Sequence, residues 1–182
     1  MEPGTADLPL AVDLDGTLIL GDTFFESILA YLGSNPLGAF ALAGWFTKGR
    51  AFAKAKLAGY APKADEVPYD QRLLAWLRQE KARGRRLALA TATDRKIADD
   101  IAAYVGVFDD VFASDGVTNL KSARKGEALS AAYPEGFVYA GNEIADLKVW
   151  EKAKGAVVVN ADVTLQHRAA ALTTVERVLP DE

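Results

Sequence analysis

Asp13 and Asp15 stand out chemically in Val12-Asp13-Leu14-Asp15-Gly16-Thr17, because carboxylates two positions apart on an extended strand end share a face and need a cation. The same Asp-Gly pair between apolar residues is also a hairpin signal, with Thr17-Leu18-Ile19-Leu20 as the return strand. Three further segments offer matching chemistry. The Thr91 hydroxyl, with the backbone N–H groups of Ala92 and Thr93, could hold phosphate oxygens at a helix start, or Thr91 could simply cap that helix. Lys125, or Lys121 before it, could offset the repulsion between phosphate and aspartates, or lie solvated. Asn142, Glu143 and Asp146, in Ala140-Gly141-Asn142-Glu143-Ile144-Ala145-Asp146, carry the hard oxygens that suit magnesium, although the stretch also reads as an ordinary capped loop.

These segments need elements to position them. Short apolar runs at Leu8–Leu14, Arg86–Thr91, Asp110–Ala113, Phe137–Ala140 and Ala156–Asn160 read as buried parallel strands. Helical patterns over Tyr69–Arg83, Asp94–Val105, Ser122–Tyr133 and Ala145–Ala153 alternate with them. That order predicts a doubly wound, Rossmann-like α/β sheet with its ligands at the carboxyl ends of the strands. From Ile19 to about Val67 the alternation stops, and helical patterns at Thr23–Leu32, Leu37–Lys48 and Arg50–Leu57 predict a small helical insertion. Ala61–Pro68, with two prolines and mixed charges, suits its exit linker.

The 182 residues, half of them apolar, fit one ordinary domain or one with an insertion. A net charge of −4 argues against a protein that coats nucleic acid. With no cysteine and only His167, thiolate zinc sites, disulfides and histidine-rich metal centres are excluded, and the composition is compatible with the cytoplasm. His167 reads as structural or solvated. The acidic start at Met1–Asp7 lacks the pattern of a secretory signal. Leu37–Phe46, ten residues with two glycines, is far short of the roughly 20 needed to span a bilayer. Lys48, Arg50, Lys54 and Lys56 read as a solvated helix face, or as a contact to an anionic substrate or membrane. Phe40, Trp45 and Phe46 read as core, or as a contact to a lipid-like surface.

Taken in order, Asp13-Leu14-Asp15-Gly16-Thr17, Thr91, Lys125 and Gly141-Asn142-x-x-x-Asp146 resemble the signature of haloacid dehalogenase superfamily phosphatases. Arg124-Lys125-Gly126-Glu127 is similar to phosphoserine phosphatase relatives. Lys81–Leu87, Ala113–Gly116, Asn119–Lys121 and Tyr139–Asn142 resemble the domain of this superfamily fused to UbiA-type prenyltransferases, so the similarity covers about residues 8–162. It implies a core of residues 1–18 and 68–182 and a helical C1-type cap over 19–67.

The resemblance also implies roles. Asp13 would be the nucleophile, forming an aspartyl phosphate that water hydrolyses, and Asp15 the general acid and then base. Thr91, Ala92 and Lys125 would bind the phosphoryl group; Asp13, the Asp15 carbonyl, Asn142 and Asp146 would hold magnesium. Asp15 favours phosphate-ester hydrolysis over dehalogenation and over P-type ATPase chemistry, while a phosphomutase would use the same two aspartates. Asn142 departs from the pattern, which has aspartate there, so weaker magnesium binding is expected. The implied substrate is a small or polyprenyl-linked phosphomonoester. The alternative is a weakly active or inactive phosphate-binding module beside a membrane prenyltransferase, with the chain cytoplasmic or held at a membrane surface. In that reading Leu179–Glu182 marks the start of a linker.

Overall fold

The apolar runs lie side by side because helices cover both faces of the sheet they build. The computed structural model describes residues 5–179; Met1–Gly4 and the end of the expected linker, Pro180–Glu182, lie outside the described residues. In chain order the elements are β1 (Leu10–Val12), α1 (Thr23–Ser34), α2 (Gly38–Thr47), α3 (Arg50–Leu57), α4 (Gln71–Ala82), β2 (Leu87–Asp94) and α5 (Arg95–Val105). They continue with β3 (Asp110–Ser114), α6 (Ala123–Ala132), β4 (Val138–Gly141), α7 (Leu147–Trp150), β5 (Gly155–Val159), α8 (Val163–Ala170) and β6 (Thr174–Leu179). The strands pair in parallel in the order β3-β2-β1-β4-β5-β6, with Val12 beside both Leu89 and Ala140. This is the doubly wound sheet expected, and its order reverses at β1, opening a crevice at the carboxyl ends of β1 and β4.

Strand alternation sorts the core by size. Leu10, Val12, Leu87 and Leu89 face α4 and α5, each fully buried and contributing about 2 kcal/mol. On the other face Ala11, Ala88 and Ala90 are small, and Tyr139, Phe137 and Trp150 fill the space against α6 and α7. The Trp150 indole donates to the Tyr139 carbonyl at 2.9 Å, so this large side chain is polar-satisfied as well as buried.

The structure corrects several expectations. The first strand ends at Val12, so Asp13 and Asp15 are brought together by a turn and not by strand alternation. That turn, closed by Leu18 N–H to the Asp13 carbonyl and Ile19 N–H to the Leu14 carbonyl, also excludes the hairpin, since both neighbours of β1 are parallel strands. The second strand continues past Thr91 to Asp94 with a register shift after Ala90, so Thr91 is not at a helix start. The helix expected over Ala145–Ala153 is a 3₁₀ turn, Ile144–Asp146, followed by the short α7.

The sequence reading contained neither α8 nor β6. β6 is an edge strand, and of its residues only Leu179 is buried, so Thr174-Val175-Glu176-Arg177 carries little apolar signal. A buried arginine fastens it: Arg85 bonds Glu80, Glu176 and the Leu8 carbonyl. Leu179, read as the start of a linker, is thus part of the sheet.

Between β1 and α4 the chain is helical, and its entry and exit touch: Leu20 N–H donates to the Pro68 carbonyl and Asp70 N–H to the Leu18 carbonyl. Here Tyr31 packs on Trp45 at 4.9 Å and Phe24 on Phe46 at 6.1 Å. Phe40, however, is 82% exposed and Leu37 80%, so Phe40 does not belong to the core. Among the described residues no helix is long and apolar enough to cross a membrane.

Candidate active site

β1 delivers Asp13 to the crevice, and Lys125, in the first turn of α6, reaches it across the small-residue face of the sheet. Lys125 Nζ lies 2.6 Å from Asp13 Oδ1 and 2.6 Å from the Tyr139 hydroxyl, which donates to Asp146 Oδ1 at 2.9 Å. Asp13, Lys125, Tyr139 and Asp146 therefore form one buried chain of charge-assisted hydrogen bonds. Asp13 Oδ2 accepts no bond from the described residues and opens onto the pocket.

Burial pushes the Asp13 carboxyl up to about 7, with Lys125 opposing the shift and Asp146 and Asp15 adding to it. Burial would also strip the Lys125 proton, but Asp13 and Asp146 outweigh it and hold its pKa above the ordinary value. The Tyr139 hydroxyl is pushed well up by burial and the two carboxylates, so it remains a donor. The sequence assigns Tyr139 no role in the site, because a tyrosine inside an apolar strand gives no sign of reaching a charged site.

Asp15 points to the other side. Its Oδ1 accepts from the Thr23 N–H at 2.7 Å and hydroxyl at 2.9 Å, and its Oδ2 accepts from the Thr93 hydroxyl at 2.7 Å. Burial raises its pKa despite these donors. A group that holds its proton more firmly than an ordinary aspartate is suited to protonating a leaving oxygen. Thr91 is buried beside it, its hydroxyl accepting from the Thr93 N–H at 3.0 Å and keeping its own proton to donate.

The loop after β4 closes the crevice. Asp146 Oδ2 accepts from the Asn142 and Glu143 N–H groups at 2.9 and 3.0 Å. Asn142 Oδ1 accepts from the Thr17 hydroxyl at 3.0 Å, tying this loop to the turn after β1. Glycine is required where they meet: Gly16 has φ 75°, and a Cβ there would lie 2.2 Å from Asn142 Nδ2. At Gly141 a Cβ would lie 2.6 Å from Asp146 Oδ2.

Asp13, Asp15, Thr91, Ala92, Lys125, Asn142 and Asp146 line a single cavity of about 270 Å³. Lys121 lines it too but is paired with Glu143 at 2.9 Å, leaving the contact with Asp13 to Lys125. Arg50 and Lys54 of α3 also enter it, and Lys54 Nζ donates to the Ala92 carbonyl. Lys54 thus departs from a solvated helix face.

Among the described residues no group of three or more histidine, cysteine or acidic side chains is set to hold a metal. Position 142 carries a neutral amide, while the carboxylates of Asp13, Asp15, Asp22, Glu143 and Asp146 line the cavity. Magnesium needs only one or two carboxylates, taking its remaining oxygens from water and substrate phosphate. The free Asp13 oxygen and Asp146, whose two oxygens accept three of about four possible bonds, fit that demand.

A family model described as haloacid dehalogenase-like hydrolase matches residues 10–151, and the chain belongs to this family. It is 42% identical over 165 residues to the uncharacterised protein y4nM of Sinorhizobium fredii, a match covering 88% of this chain and 31% of that one. The chain therefore spans about a third of that relative's length. Among solved structures it is similar to a protein of unknown function from Bordetella pertussis Tohama I, with a TM-score of 0.65 and 19% identity over 92% of this chain and 96% of that one. It is also similar to a phospho-aspartyl intermediate analogue of phosphoserine phosphatase, with a TM-score of 0.64 and 17% identity over 95% and 93% of the two chains. At these identities the likeness is one of fold.

Proposed function

We propose that the protein is a magnesium-dependent phosphomonoester hydrolase acting through an aspartyl phosphate on Asp13. The observation that carries this reading is the Asp13 carboxylate, with one oxygen held by Lys125 and the other open to a cavity it shares with Asp15 and Thr91. The free oxygen attacks phosphorus and the ester P–O bond breaks, while Asp15 gives its proton to the departing alkoxide. Asp15 then takes a proton from water as that water attacks the aspartyl phosphate, releasing phosphate and restoring Asp13. Lys125, the Thr91 hydroxyl and the Ala92 backbone hold the phosphoryl oxygens through both steps. Magnesium, held by Asp13, the Asp15 carbonyl, Asn142 and Asp146, would neutralise phosphoryl charge.

In this reading residues 19–67 form a cap over a core of 1–18 and 68–182, and the substrate is a small or lipid-linked phosphomonoester. The exposed Leu37 and Phe40, close in sequence to Lys48 and Arg50 in a stretch from 37 to 64 with no acidic residue, favour a cap that meets an anionic membrane surface. The greater length of y4nM is compatible with a module that works beside a further domain, including a prenyltransferase.

Turnover of an aryl phosphate with added magnesium tests the reading. Asp13→Asn should reduce kcat by at least about a thousand-fold while circular dichroism stays native, as expected for loss of a nucleophile. Activity that survives this substitution would refute the aspartyl-phosphate route. Wild-type binding of phosphate without turnover would favour the inactive-module alternative.

A further inference from the structure

A carboxyl group that hands a proton to one oxygen and later takes one from water needs its own oxygens held in place. Asp15 is held by three donors from two elements. Its Oδ1 accepts from the N–H and the hydroxyl of Thr23, the first residue of α1, and its Oδ2 accepts from the hydroxyl of Thr93 in β2 at 2.7 Å. The two hydroxyls also lie 3.1 Å apart, so Asp15, Thr23 and Thr93 close a triangle. The charges of Asp22 and Lys54 reach Asp15 only through space, since the Asp22 carboxylate accepts from the Phe25 N–H and the Lys54 ammonium donates to the Ala92 carbonyl.

The strand sets Thr93 there. β2 shifts register between Ala90 and Asp94, and within that shift Thr91 and Thr93 are both buried. The Thr93 N–H donates to the Thr91 hydroxyl at 3.0 Å, which ties the residue that meets Asp15 to the one beside it in the cavity wall. A carboxylate offers about four accepting positions, and three of those on Asp15 are taken. The remaining one belongs to Oδ2, the oxygen that the Thr93 hydroxyl holds. The same donors are already in place for the negative charge that grows on Asp15 as a proton leaves it, so that step needs no reorganisation. Such donors also serve a purely structural need, because a buried carboxylate is costly without them. Loss of a structural donor would lower turnover on every substrate alike, whereas orientation of an acid matters in proportion to how much the leaving oxygen needs a proton.

We propose that Thr93, backed by the Thr23 hydroxyl, is a positioning residue that holds Asp15 Oδ2 toward the leaving oxygen, the proton passing from Oδ2 to that oxygen as the ester P–O bond breaks. This rests on the phosphatase reading above and adds to it the residue that orients the acid.

The test compares kcat/KM of the full chain with magnesium on 4-nitrophenyl, phenyl and benzyl phosphate, probes of similar size whose leaving oxygens are increasingly basic. Thr93→Val keeps the branched shape and removes the hydroxyl. It should lose about ten-fold more on the most basic probe that the wild type turns over than on 4-nitrophenyl phosphate, the scale of one hydrogen bond to a charged group. Thr93→Ser should close most of that gap. If Thr93→Val loses its native circular dichroism, Thr23→Val, which keeps the Thr23 N–H, decides by the same gap. An equal loss on all probes, no loss on any, or a gap that Thr93→Ser leaves open overturns the role and makes Thr93 a structural donor, while the phosphatase reading stands. A wild type that turns over 4-nitrophenyl phosphate alone also overturns it, because no proton is then reaching the leaving oxygen. Turnover of none of the probes overturns the phosphatase reading and the role together.

Discussion

At the carboxyl ends of β1 and β4 the buried charges are met by protein partners, whereas α1 to α3 leave both apolar and charged groups incompletely covered. Asp13, Lys125, Tyr139 and Asp146 are each less than a tenth exposed and linked by hydrogen bonds of 2.6 to 2.9 Å. Across the cavity's helical wall Lys54 has one carbonyl for a partner, and Phe40 faces solvent. The difference separates preorganisation from selection. A reacting group must already be held when the substrate arrives, but a group that chooses the substrate gains by completing its interactions only then.

Substitutions on either side should therefore behave differently. Lys125→Met, which removes the cation beside Asp13, should lower kcat by about a hundred-fold or more, the scale of losing one transition-state donor. A loss of only a few-fold would mean that another cation holds the phosphoryl group. Tyr139→Phe should cost about 1–3 kcal/mol in chemical denaturation, because Lys125 and Asp146 lose a shared buried partner. Unchanged stability would show that water replaces the hydroxyl and that the chain is less closed than it looks.

Asn142→Asp should lower the magnesium concentration for half-maximal activity by about ten-fold, since it adds an anion to a site with two carboxylates. If magnesium affinity and turnover stay the same, the asparagine is there for its bond to Thr17 alone. The smallest effect on the fold belongs to Phe40→Ser on the helical wall, with a stability change within about 0.5 kcal/mol as for other exposed positions. The same variant should lose co-sedimentation with anionic vesicles. Equal sedimentation of variant and wild type would remove the membrane surface from the reading.

Much of this arrangement was legible in the chain. The apolar runs at Leu87–Ala90 and Val157–Val159 are dense enough to identify themselves as parallel strands, and their alternation with helices determines the winding. Asp13, Asp15 and Lys125 were legible because charged residues at the ends of such runs have few structural reasons to be there. β6 was not, since an edge strand needs only one apolar face and mixes Glu176 and Arg177 into it. Tyr139 was hidden for the converse reason, an aromatic being ordinary in a buried strand. Lys54 looked like its neighbours Lys48 and Lys56, and only the packing of α3 against β2 distinguishes it.

The sequence by itself determined the family, the doubly wound order of its core and the identity of the carboxylates at the end of β1, because these follow from local patterns of apolar and charged residues. Tertiary structure alone decided which lysine meets Asp13, that Tyr139 joins it to Asp146, and that Arg50 and Lys54 line the same cavity. Those are contacts between residues as many as 112 positions apart, set by how helices pack on the sheet, and no local pattern encodes them.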